Sequence, residues 1–67
     1  MSTVTIHMLQ RWRVDRQDGM TANGPEKLVI LIVKALNGPE IAVAMSKVDA
    51  MAIGIQLQLA ATDAQNS

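Results

Sequence analysis

Residues 28–33 read Leu-Val-Ile-Leu-Ile-Val, six large aliphatic side chains with no polar residue between them. Successive side chains of a β-strand point to opposite faces, so a strand made of this run is apolar on both faces. Each apolar face needs a cover, which must come from the rest of this 67-residue chain or from another chain. The run therefore predicts a central strand, and each of its two apolar faces requires another part of the chain, or a second chain, to cover it.

A helix is the rival interpretation of residues 26–36. Pro25 suits a first helical position, Lys34 suits a last turn, and Gly38 suits the position after a helix end. However, four of the six residues in the run are β-branched, and such side chains lose rotamer freedom in a helix. We therefore predict a strand over about 27–36.

The N-terminal part of the chain alternates between apolar and polar residues, which is typical of a half-buried strand. The apolar residues of one parity are Val4, Ile6, Met8, Trp12 and Val14, interrupted only by Gln10. We predict a first strand over about 3–15, bent near Gln10. Residues 17–26 contain Gly19, Asn23-Gly24 and Pro25 without apolar periodicity, which predicts a flexible loop.

Asn37-Gly38 predicts a hairpin, because both central positions of a type I′ turn need a positive φ. Since Pro39 has no amide hydrogen to donate, either the pairing next to the turn is irregular or the loop is longer than two residues. The alternation after this dipeptide predicts a third strand over about 40–45. Ser46 can cap a helix whose apolar residues follow at helical spacing, and we predict that helix over about 46–62, with a frayed tail over 63–67. Gly54 in mid-helix would permit close approach to the sheet or to a partner helix.

The composition limits how this chain can be stabilised. We expect a single domain over 1–67, with an aliphatic core, because there is no Cys, Phe or Tyr and only one Trp. Domains this small bury little surface and are marginal alone, so self-association is the remaining stabilising device. The net charge of zero favours neither nucleic acid nor an anionic membrane. With no signal-peptide pattern and no apolar run long enough to span a bilayer, we expect a cytoplasmic protein without membrane contact, of bacterial or phage origin.

The most site-like residues are Arg11, Trp12, Arg13 and Arg16. Trp and Arg are enriched at protein-binding hot spots, and arginines also contact phosphates. The alternation puts Arg11 and Arg13 on one face and Trp12 on the other, so a simpler interpretation is that Trp12 lies in the core or at an interface, beside two solvated arginines. We expect no catalytic site, metal site or cofactor, since the single histidine, His7, has no catalytic or metal-ligand pattern near it.

These patterns together predict an α+β fold with a three-stranded antiparallel sheet, one C-terminal helix, and a homodimer. The candidate dimer interface consists of Val29, Leu31, Val33 and Gly54. The predicted function is that of a small non-catalytic interaction module that binds another protein. The alternative is a nucleic-acid-binding regulator that uses Arg11, Arg13 and Arg16.

Overall fold

The computed structural model describes residues 3–66, which form an antiparallel three-stranded sheet followed by one helix. The elements are β1 (Leu9–Thr21), β2 (Gly24–Ala35), β3 (Glu40–Met45) and α1 (Lys47–Gln65). The sheet order is β1-β2-β3, so the apolar run lies in the central strand. The predicted α+β class is confirmed, and the helical interpretation of residues 26–36 is wrong.

Strand β1 is shifted along the chain from its predicted position. It covers Leu9–Thr21 rather than 3–15, and residues 3–8 lie outside the sheet. The pairing of β1 with β2 slips between Leu9 and Arg11, which leaves Gln10 as the extra residue of a β-bulge. The predicted bend at Gln10 is therefore confirmed. It also explains the one break in the alternation, since a bulge reverses the parity of the residues before it.

The prediction of a loop over 17–26 is wrong, because most of these residues belong to a long β1–β2 hairpin. Thr21 pairs with Gly24, and only two residues form the turn between them. The Thr21 hydroxyl donates to the Gly24 carbonyl (3.2 Å) and accepts from the Asn23 amide (3.1 Å). Gly19 is not a breaker either: a Cβ at this position would collide with the Leu28 side chain. Its lack of a side chain makes room on the sheet.

The second hairpin forms where Asn37-Gly38 predicts it, but not with a type I′ turn. Asn37 has a φ of 61°, whereas Gly38 is not in the positive-φ region that type I′ also requires. The Gly38 amide donates to the Ala35 carbonyl at 3.0 Å. The Lys34 ammonium donates to the carbonyls of Gly38 (2.7 Å) and Ala35 (3.2 Å), so this cation stabilises the turn.

Helix α1 begins as predicted and ends later than predicted. The Ser46 hydroxyl accepts from the Asp49 amide at 3.1 Å, which confirms the N-cap. The helix continues to Gln65, with Asn66 at the C-cap, so residues 63–65 are helical rather than a frayed tail, and residue 67 lies outside the described residues. No glycine or proline follows Gly54, so no residue stops the helix at 62.

The folded chain has no interior of its own: none of residues 3–66 is buried. The apolar spacing of α1 predicts that the helix covers one face of β2. The structure brings α1 into contact with β2, but no residue of either element is buried. Large apolar side chains lie on one side of the helix (Val48, Met51, Ile55, Leu59), while Ile53 and Leu57 lie on the opposite side, so no single apolar face directs the helix onto the sheet. The radius of gyration is 14.4 Å, against about 11 Å for a compact chain of this length.

Candidate interaction surfaces

One face of the sheet is almost wholly apolar. Residues that pair directly across antiparallel strands share a face, so the register assigns every side chain to one side. The face that carries Trp12, here called the Trp12 face, contains Trp12, Val14, Val29, Leu31, Val33, Ile41, Val43 and Met45, with Arg16, Asp18 and Lys27 at one end. Its outer strands are the most open, with Trp12 63%, Val14 54%, Ile41 51% and Val43 46% exposed.

The opposite face, here called the Arg11 face, has an apolar centre and a charged margin. Its centre consists of Leu28, Ile30 and Ile32 of β2 with Ala42 and Ala44 of β3, and its margin carries Arg11, Arg13, Asp15, Lys34 and Glu40. Arg11, Lys34 and Glu40 form one row across the three strands. Arg11 Nη2 lies 3.4 Å from Glu40 Oε2, an exposed ion pair of the kind that contributes little to stability.

A shallow depression of about 190 Å³ lies at this charged row. Its lining residues are Arg11, Trp12, Arg13, Ile32, Lys34 and Glu40. The cations are already partly engaged there, because Arg11 faces Glu40 and Lys34 binds the carbonyls of the β2–β3 turn. The depression therefore offers a mixed polar and apolar surface with a weakly positive margin, rather than a cluster of free positive charges.

The four predicted interaction residues divide between the two faces. Arg11 and Arg13 lie together on the Arg11 face, while Trp12 and Arg16 lie on the other side, as the alternation predicts. The Arg16 amide donates to the carboxylate of the neighbouring Asp15 at 2.8 Å. Sequence reasoning missed Lys34 as a member of the Arg11 row. Its parity with Ile30 and Ile32 is the signal that could have placed it there.

The four predicted dimer-interface residues also fall in two places. Val29, Leu31 and Val33 form the centre of the Trp12 face and are partly exposed. Gly54 lies in the helix, where a Cβ would meet no atom within 4 Å. Close approach of the chain's own sheet is therefore not the reason for a glycine at this position. Approach of a second chain stays a prediction.

Within residues 3–66, no three His, Cys, Asp or Glu residues are arranged to hold a metal ion. His7 lies on the exposed segment that precedes β1. The one helix of this region does not combine the length and the apolar character needed to cross a membrane.

Comparison with protein-family models, with curated proteins and with solved structures finds no match to this chain.

Proposed function

We propose that this chain is a non-catalytic interaction module that self-associates and acts by binding another protein. The observation that carries the proposal is the lack of any buried residue in 3–66, although 49% of the sequence is hydrophobic. Burial of apolar surface is the main favourable term in folding, and here most of it is still missing. A second protein surface is the natural source of that burial.

The amount of excess surface supports a second copy as the first partner. The chain exposes 6049 Å². A compact protein of 7.2 kDa would expose about 4,100 Å², so this chain exposes about 1,900 Å² more. Two chains that cover this excess against each other would bury nearly 4,000 Å² in total, which is within the range of about 2,000–5,000 Å² for obligate homodimers.

The Trp12 face is the proposed self-interface. Val29, Leu31 and Val33 form its centre, Trp12 supplies a large aromatic side chain, and Arg16 lies towards the charged end. An isologous contact brings this face against its own copy, which closes the assembly at a dimer. Gly54 is proposed as a place of close approach for the second chain, because its surroundings are open within its own chain.

The Arg11 face is left for the protein partner. It combines aliphatic side chains with exposed charge of both signs, and Arg11 and Arg13 lie beside a depression that a partner's side chain could occupy. Arginine is enriched at such contacts because its guanidinium both stacks and donates several hydrogen bonds. Self-association and partner binding would then use opposite faces of one sheet.

Light scattering coupled to size exclusion tests the self-association directly. We expect a dimer at micromolar concentration, and a well-folded monomer at high micromolar concentration would overturn the proposal. The double variant Arg11→Glu/Arg13→Glu is expected to remain dimeric while it loses a protein that co-purifies with the native chain. Retention of that protein would show that the Arg11 face is not the binding surface.

The second candidate is a nucleic-acid-binding regulator that uses Arg11, Arg13 and Arg16. The observation in its favour is that Arg11, Arg13 and Lys34 share one face. Against it, Arg16 lies on the other face and Lys34 is occupied by the β2–β3 turn. This function requires binding to mixed-sequence DNA or RNA that weakens steeply with salt, which fluorescence anisotropy measures. Binding that is absent, or insensitive to salt, would eliminate it.

A further inference from the structure

The segment before β1 has the pattern of a strand but no strand to pair with. Residues 3–8 read Thr-Val-Thr-Ile-His-Met, a strict alternation of polar and apolar side chains. The structure assigns them to neither helix nor strand, with Val4 83%, Ile6 91% and Met8 73% exposed. We call residues 3–8 the N-terminal arm.

Before Met8, the arm has no strand to pair with, because β2, the strand beside β1, ends at Ala35. The last backbone hydrogen bond of this hairpin runs from the Leu36 amide to the Met8 carbonyl at 2.7 Å. At Asn37, with its φ of 61°, the chain turns away into β3. Six residues in extended conformation would span roughly 20 Å, which is long enough to reach a second chain beyond the end of the sheet.

The sheet has two free edges, and they differ in charge. The sheet order leaves β1 and β3 at the edges, each with unpaired backbone groups on its outer side. Five charged side chains protect β1: Arg11, Arg13, Asp15, Arg16 and Asp18. Strand β3 has no charge after Glu40, and residues 41–45 read Ile-Ala-Val-Ala-Met. An uncharged apolar edge of this kind readily accepts an added strand.

We propose that the N-terminal arm forms a fourth strand on the free edge of β3 in a second copy of the chain. The arm and β3 both contain six residues. With Ile6 opposite Val43, the apolar side chains Val4, Ile6 and Met8 extend the Trp12 face. The polar side chains of the arm then lie beside Ala42 and Ala44, where small residues leave room.

A second copy fits this position better than the chain's own arm. Strands β1 and β3 are parallel to each other because both are antiparallel to β2. The arm leaves the sheet at the end where β3 begins, and β2 lies between them. To reach its own β3, the arm would have to reverse direction and cross the β2–β3 turn. Reciprocal exchange about a two-fold axis needs no such reversal and occupies both free edges of β3.

Cysteine cross-linking tests this exchange, which rests on the proposed self-association. The chain has no cysteine, so Ile6→Cys and Val43→Cys each introduce a single thiol. Directly opposed strand residues have Cα atoms about 4.5–5.5 Å apart, within disulfide range. The mixed single variants are expected to form a disulfide-linked heterodimer on mild oxidation. Val14→Cys, on the charged edge strand but on the same face as Val43, is the matched control and should link far less to Ile6→Cys.

Five results would overturn the proposal. If two Ile6→Cys chains link to each other faster than Ile6→Cys links to Val43→Cys, the arms pair with each other. Equal linking of Ile6→Cys to Val14→Cys would mean that the arm does not select β3. Linking within one chain of the Ile6→Cys/Val43→Cys variant, without linking between the mixed single variants, would place the arm on its own β3. Absence of any linking in a protein that light scattering shows to be dimeric would reject the exchange and leave the proposed function intact, whereas a monomer would reject both.

Deletion of residues 3–8 gives a second readout that does not depend on disulfide chemistry. The added strand contributes several backbone hydrogen bonds, each with a modest net value, so we expect self-association to weaken by at least about 100-fold. Retained circular dichroism of the sheet would show that the shortened chain still folds. Unchanged affinity in a folded deletion variant would overturn the proposal.

Discussion

Substitution of Trp12 by Ala should weaken self-association, because Trp12 is the largest side chain of the proposed self-interface. Trp12 is 63% exposed in the single chain. Taking about 250 Å² for a tryptophan side chain, about 160 Å² is available to a second copy. At about 25 cal/mol per Å², covering it contributes at most about 4 kcal/mol per chain, and a two-fold dimer contains two such side chains. If half of this stabilisation is realised, Trp12→Ala raises the dissociation constant of the dimer about 1,000-fold.

Sedimentation equilibrium over a wide range of protein concentration measures this constant. The matched control is Arg13→Ala. Arg13 follows Trp12 directly in the sequence, but its side chain lies on the opposite side of the sheet, on the Arg11 face. We expect Arg13→Ala to leave the dissociation constant nearly unchanged. Equal effects of the two substitutions, or no effect of Trp12→Ala, would refute the assignment of the Trp12 face as the self-interface.

Three further substitutions probe the same surface and the helix. Val43→Asp should prevent self-association and keep Trp12 fluorescence at the emission of a solvated indole. Gln17→Asp, on the Arg11 face of β1, should do neither, and equal spectra of the two variants would count against the Trp12 face. Ser46→Ala should lower the free energy of unfolding by about 1 kcal/mol in a denaturant titration, because it removes the bond to the Asp49 amide. Gly54→Ala should raise helix content yet weaken self-association by light scattering, and tighter association would remove Gly54 from the interface.

The sequence predicted those features of the fold that depend on neighbouring residues. The β-branched run, the Asn37 turn and the Ser46 cap are local signals, and each lies where the structure has the corresponding feature. The start of β1 was wrong because alternation shows that a segment can be a strand, but its pairing length depends on where the partner strand ends. The loop prediction was wrong because Gly19 makes room for Leu28, a contact between residues that no local pattern reveals.

The candidate surfaces were predictable to a similar degree. Alternation separated Arg11 and Arg13 from Trp12, and the register agrees. The contribution of Lys34 was missed because this residue was interpreted as the end of the apolar run. Its role depends on a hairpin turn that brings the Gly38 carbonyl within 2.7 Å of the ammonium, and turn geometry of this kind follows from tertiary pairing rather than from composition.

Folding and assembly should form a single equilibrium in this protein. A strand that is apolar on both faces can be stable only if both faces are covered, and the single chain covers neither of them fully. Apolar surface left open in the monomer contributes to stability only when a second copy binds, so the free energy of unfolding should increase with protein concentration. The midpoint of chemical denaturation is therefore expected to rise with concentration. A midpoint independent of concentration would mean that the open surface of β2 is tolerated without a partner, and the case for self-association would lose its physical basis.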